Sequence, residues 1–106
     1  MLNFTDFKKV ELRVGRVLEA ERIPESDKLL KLKVSFGSEE RQILAGIGKK
    51  YAPEDLLNKQ LVIVANLEPR VMMGLESQGM ILASNSDNGP IFLTPAQAVP
   101  DGATIQ

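Results

Sequence analysis

The 106-residue sequence predicts one all-β domain: a five-stranded barrel with a short helix between strands three and four and a C-terminal extension. Three observations carry this. Apolar and polar residues alternate with period two in several short runs, most clearly from Lys28 to Phe36. Turn-forming clusters separate those runs at Pro24–Asp27, Gly37–Glu40 and Asn85–Pro90. Only one short stretch, PEDLLNK from Pro53, combines a favourable helix start with a stop signal. The barrel is expected over about residues 8–84, with segments 1–7 and 85–106 outside it.

In chain order, Phe4 and Phe7 lie at helix-like spacing, with Thr5 or Asp6 as the expected cap of a short turn. Val10, Leu12 and Val14 then alternate with Glu11, Arg13 and Gly15, a half-buried strand that runs on to about Ala20. Gly15 marks the expected bulge or bend, because Val17 and Leu18 break the alternation beyond it. A long, bent first strand can serve two sides of a small barrel.

In the second strand Leu30, Leu32, Val34 and Phe36 face one way, and Lys31, Lys33 and Ser35 the other. The third strand, Arg41 to Ile47, ends at the corner AGIGKKY. That corner lacks the early Gly and the Ser or Thr after Lys that a phosphate loop requires, and read as GxGxxG it fails at Tyr51. Pro53 suits the first helical position, Glu54 and Asp55 suit the positive end, and Asn58 suits a left-handed stop. Leu61 to Leu67 is apolar on both faces until Asn66, which predicts a largely buried fourth strand. Met80 to Ala83 is the fifth. The tail holds an apolar run, Ile91 to Leu93, a helical turn expected from Thr94 or Pro95, and a closing turn at Pro100–Gly102.

Composition narrows the function. Thirteen Lys and Arg against fourteen Asp and Glu give a net charge of -1, so any polyanion must be held by a local patch. There is no Cys and no His, which removes disulfides, thiolate chemistry, His-based catalysis and the usual zinc sites. No cofactor and no metal are expected. No apolar run approaches membrane-spanning length and the N-terminus is no signal peptide, so a cytoplasmic setting is the default. The paired acids Glu39-Glu40 and Glu54-Asp55 sit in turn and helix-start contexts, and no nucleophile-base pair accompanies them.

The link Asn66 to Met80, NLEPRVMMGLESQGM, has the chemistry of a contact surface. Arg70 suits phosphate oxygens, Asn66, Ser77 and Gln78 suit sugar or backbone, and Met72 and Met73 suit adaptable apolar contact. The same composition also fits a solvated β-hairpin connection. On the second strand, Lys31 and Lys33 stand about 7 Å apart on one face, close to the spacing of successive phosphates. That face is equally compatible with charges kept for solubility.

Three strands, a helix and two strands match the order of the OB-fold, a small barrel that binds oligonucleotides on one face. The runs LRVG, SDKLL, AGI, YAPE, NLEPR and MMGLESQGM, with IFLTP in the tail, closely resemble the tRNA-binding domain at the C-terminus of bacterial methionyl-tRNA synthetase. They also resemble its free-standing relatives and the C-terminal domain of endothelial monocyte-activating polypeptide. The likeness covers nearly the whole chain. Asn58 stands where many members have Gly, and Val71 removes a cation common in the run Arg-Lys-Met.

The resemblance implies a non-catalytic module that grips folded tRNA by shape at the outer corner of its L. Few aromatic residues, 5% of the chain, agree with recognition of backbone rather than of loose bases. The expected contacts are Lys28, Lys31, Lys33 and Arg41 on the backbone, with Asn66, Arg70, Met73, Ser77, Gln78 and Met80 along the adjacent edge. Met73 and Met80 have a core role as their alternative. Four to six phosphate contacts would give a log–log salt slope of roughly -3 to -5. The resemblance further implies a homodimer joined through the N-terminal segment and the tail, and methionyl-tRNA synthetase as a possible partner. A peptide-binding, secretion-chaperone-like dimer of the same family is the alternative function.

Overall fold

A computed structural model describes residues 1–106. Ten strands and two single-turn helices follow in the order α1 (Phe4–Phe7), β1 (Leu12–Arg22), β2 (Leu30–Ser35), β3 (Glu40–Ala45), α2 (Pro53–Leu56), β4 (Gln60–Val64), β5 (Arg70–Met72), β6 (Leu75–Ser77), β7 (Met80–Ile81), β8 (Ala83–Ser84), β9 (Ile91–Phe92) and β10 (Thr104–Ile105). The main sheet runs β3-β2-β1-β4-β7, with β10 beside β1, and every pairing is antiparallel. The sheet curls until β3 meets the chain just before β7, where the Gln78 N–H donates to the Gln42 carbonyl at 2.8 Å. This is the OB-like barrel the strand order implied.

β1 serves two sides of the barrel, as its length predicted. Residues Leu12 to Arg16 pair with β4, and Arg16 to Arg22 with β2. The register slips between Val17 and Glu19, so the irregularity lies there and not at Gly15. Gly15 has a different reason to be Gly: a Cβ there would lie 2.4 Å from Val34 Cγ1 and 2.9 Å from Ile63 Cδ1. The first helical turn is capped by Asn3, whose Oδ1 accepts from Asp6 N–H at 2.8 Å, and not by Thr5 or Asp6. A cap must precede the turn it closes.

The core forms as the alternation dictated. Leu30, Leu32 and Val34 from β2, with Phe36 just after it, meet Val17, Ile43, Ala45, Leu61 and Ile63 from the other walls. Leu56 of α2 is also in this cluster, fully buried. Asn58 ends that helix at φ 65°, as its side chain permits.

The tail packs on the same barrel. β9 pairs with β8, and Phe92 meets Tyr51 with ring centroids 5.1 Å apart. β10 continues beside β1. Asp101 accepts from Arg16 Nε at 3.1 Å and from the buried Gln60 side chain at 2.9 Å. The helical turn expected from Thr94 or Pro95 does not form; the segment after β9 is an irregular bend. Its Leu93 backbone is used in bridging to Val62 and Leu82, which holds it extended.

Candidate nucleic-acid interface

The link between β4 and β7 is itself a hairpin, β5–β6, turned at Met73 and Gly74. Both residues have positive φ, 54° and 77°. That pair of left-handed residues gives the turn a twist matching the strands it joins, and Gly74 adopts it freely. Met73 does not, because its Cβ crowds the backbone there.

Register places this hairpin beside the lysine-bearing face. On the outer face of the sheet, Glu21 of β1 lies opposite Lys31 of β2, which lies opposite Leu44 of β3. One pleat further along, Glu19, Lys33 and Gln42 form the parallel row. The hairpin docks on the ends of both rows. Met72 and Leu75 pack against a small cluster of Ile23, Leu29 and Leu44. Ser77 Oγ accepts from Leu44 N–H at 2.9 Å, and Gln42 Nε2 donates to the Glu76 carbonyl at 2.9 Å. A cleft between Pro24 and the hairpin is bordered by both Lys31 and Met73. The two regions singled out in the sequence therefore line one continuous surface.

The individual residues divide by environment. Lys28, Lys33, Arg70, Gln78, Met73 and Met80 are exposed, with the Gln78 Oε1 accepting from the Gln42 N–H at 3.0 Å and its Nε2 left for contact, and Lys31 is half-buried. Three others are occupied in holding the frame. Ser77 is only 3% exposed, and its hydroxyl donates to the Gly79 carbonyl while accepting from Leu44. Asn66 spans 2.8 Å to Glu11 N–H and 2.6 Å to the Lys9 carbonyl, so both ends of its amide tie down the N-terminal segment. Arg41 pairs with Val34, an inward residue, and so stands on the opposite face of β3 from Gln42. Its guanidinium lies 5.2 Å from the Phe36 ring centroid and donates to the carbonyls of Ala65 and Gln78.

Lys31 and Lys33 are not free. Lys31 Nζ stands 2.7 Å from Glu21, and Lys33 Nζ stands 3.3 Å from Glu19 and 3.2 Å from Glu40. Hydrogen bonds that Lys33 donates to Glu40 and then to Glu19 raise its pKa above the ordinary 10.5. Arg41 pairs with Glu39 at 2.9 Å. Lys28 and Arg70 have no carboxylate partner. The pairing of these acids with the cations escaped the sequence reading. The alternation Glu19-Ala20-Glu21 opposite Lys31-Leu32-Lys33 was a usable signal, but the register slip beside Val17 hid which residues face each other. No helix is long and apolar enough to cross a membrane.

Residues 12–104 match the family described as "Putative tRNA binding domain". The chain is 52% identical over its full length to part of the methionine–tRNA ligase of Methanothrix thermoacetophila, and it spans only 16% of that protein. A MetRS-related protein of Pyrococcus horikoshii superposes with a TM-score of 0.93 at 37% identity, covering 100% of this chain and 98% of that one. The chaperone CsaA of Bacillus anthracis superposes with a TM-score of 0.90 at 34% identity, covering 100% and 99%.

Proposed function

The chain belongs to the tRNA-binding-domain family that also occurs within methionine–tRNA ligases, and on that premise we propose that it holds folded tRNA without doing chemistry of its own. The bound surface is the outer face of β1–β3 together with the β5–β6 hairpin. Lys28 and Arg70 meet phosphates directly. Lys31 and Lys33 exchange their carboxylate partners for phosphates when the RNA seats. Met73, Met80 and Gln78 supply apolar and hydrogen-bonding contact to the sugar edge. Ser77, Asn66 and Arg41 act one step back, by fixing the hairpin and the barrel seam.

The observation that supports this reading is the docking of the hairpin onto the ends of the two lysine rows, through Leu44–Ser77 and Gln42–Glu76. A single folded polynucleotide can span both parts. The module would raise the local concentration of tRNA for an aminoacylating partner, methionyl-tRNA synthetase, in the cytoplasm. A homodimer through the exposed apolar residues of the N-terminal segment and the tail, Phe4, Phe7, Ile91 and Leu93 among them, would present two such surfaces. The likeness to a chaperone is a likeness of the same family and does not favour peptide binding over this role.

A gel shift with folded tRNA, duplex DNA and an unrelated peptide, at two salt concentrations, tests the function. Preference for tRNA that weakens with salt is expected. Equal binding of tRNA and duplex DNA, or capture of the peptide alone, ends the proposal. Sedimentation of the intact chain tests the dimer, which a monomer at high concentration would remove.

A further inference from the structure

The geometry points to Glu19, Glu21 and Glu40 as specificity-determining residues that reject polyanions unable to displace them. The inference rests on the tRNA reading above and names the groups that restrict it.

On this face two ammonium groups are matched by three carboxylates. Lys31 is held by Glu21, and Lys33 by both Glu19 and Glu40. All three acids are well exposed, with side-chain accessibilities of 72%, 63% and 52% for Glu19, Glu21 and Glu40. The face itself therefore carries one net negative charge. A polyanion approaching it meets repulsion within the screening length of about 8 Å at physiological salt. Unpaired attraction comes from Lys28 and Arg70, with Arg22 at the border of the cleft beside Lys31.

Each lysine on the face is an intramolecular ion pair, and a phosphate must replace the carboxylate to reach it. That exchange gains little Coulomb energy and leaves a glutamate beside the phosphate. A flexible strand or a B-form duplex has only these exchanges to make. A folded RNA whose phosphates fall on both rows while its surface also meets the hairpin has compensating contacts at Met73, Met80 and Gln78. Repulsive groups of this kind discriminate partners by suppressing the wrong ones.

The test is the triple amide variant Glu19→Gln, Glu21→Gln, Glu40→Gln, with Glu21→Gln alone as a second protein. These exposed, isosteric changes free Lys31 and Lys33. Affinities for folded tRNA, duplex DNA and oligouridylate are measured against salt. For the triple variant, DNA and oligouridylate affinity should rise about tenfold or more, and tRNA affinity less than about threefold. Its log–log salt slope for DNA and oligouridylate should steepen by about two as Lys31 and Lys33 reach their phosphates, while that for tRNA changes little. Glu21→Gln should move each quantity in the same direction by a smaller amount. An unchanged tRNA-to-DNA ratio with an unchanged slope overturns the inference, as does a fall in tRNA affinity alone, which would make the acids braces for the lysines. Failure of the tRNA reading itself would appear separately, as no preference for tRNA in the unaltered protein.

Discussion

The hydroxyl of Ser77 closes a gap between the hairpin and the barrel: it takes the Leu44 N–H at 2.9 Å and gives its own proton to the Gly79 carbonyl. Ser77→Ala would leave the Leu44 N–H of a 5%-exposed residue without a partner. The expected loss is about 1–3 kcal/mol in urea unfolding. Affinity for tRNA should fall too, because the hairpin loses its anchor on β3. A Ser77→Ala protein of unchanged stability would show that water replaces the hydroxyl.

Met73 sits half-exposed in a left-handed conformation that Asn or Gly adopts more cheaply. Met73→Asn should raise stability by about 0.5–1 kcal/mol. If the thioether side chain contacts the RNA, tRNA affinity falls in the same variant. Stability and binding moving together would place the residue in the frame instead.

Salt dependence separates paired from unpaired cations. With Lys28, Arg70, Lys31 and Lys33 meeting phosphates and Arg41 held by Glu39 in the frame, the unaltered protein should show a slope of about -3. Arg70→Ala should reduce its magnitude by about one. A slope shallower than about -2 would mean that Lys31 and Lys33 keep their carboxylate partners when the RNA seats.

The Lys33 pair has a defined pH window. Its folded pKa lies above 10.5, raised by Glu40 and then Glu19. A raised lysine pKa contributes stability that is fully present below the unfolded pKa and lost as pH rises through the folded one. The stability difference between the unaltered protein and Lys33→Met should therefore be constant through neutral pH and shrink above 10.5. A difference that already changes between neutrality and that pH would assign it to another group.

Parts of this molecule were legible from local pattern. The run Leu30, Leu32, Val34, Phe36 announced its inward face because side chains alternate in a strand whatever lies opposite. Asn58 announced its turn because few residues accept positive φ. Placement of Lys31 and Lys33 on the outer face followed from the same alternation. The conversion of NLEPRVMMGLESQGM into a β-hairpin was open as one alternative, but its docking onto Leu44 was not.

The sequence by itself determined the barrel order, the buried face of the second strand and the family likeness, since each depends on residues close along the chain or on whole motifs, while Val10 and Leu67, read into the first and fourth strands, lie outside them and are exposed. Tertiary structure alone decided which charges meet. Glu19 and Glu21 reach Lys33 and Lys31 only through a register set beyond the slip at Val17. Asn66 and Ser77, chosen as contacts for their chemistry, became ties because the backbone of Lys9, Glu11 and Leu44 came within 3 Å of them. A side chain's type states what it can bind, and only the fold states what reaches it first.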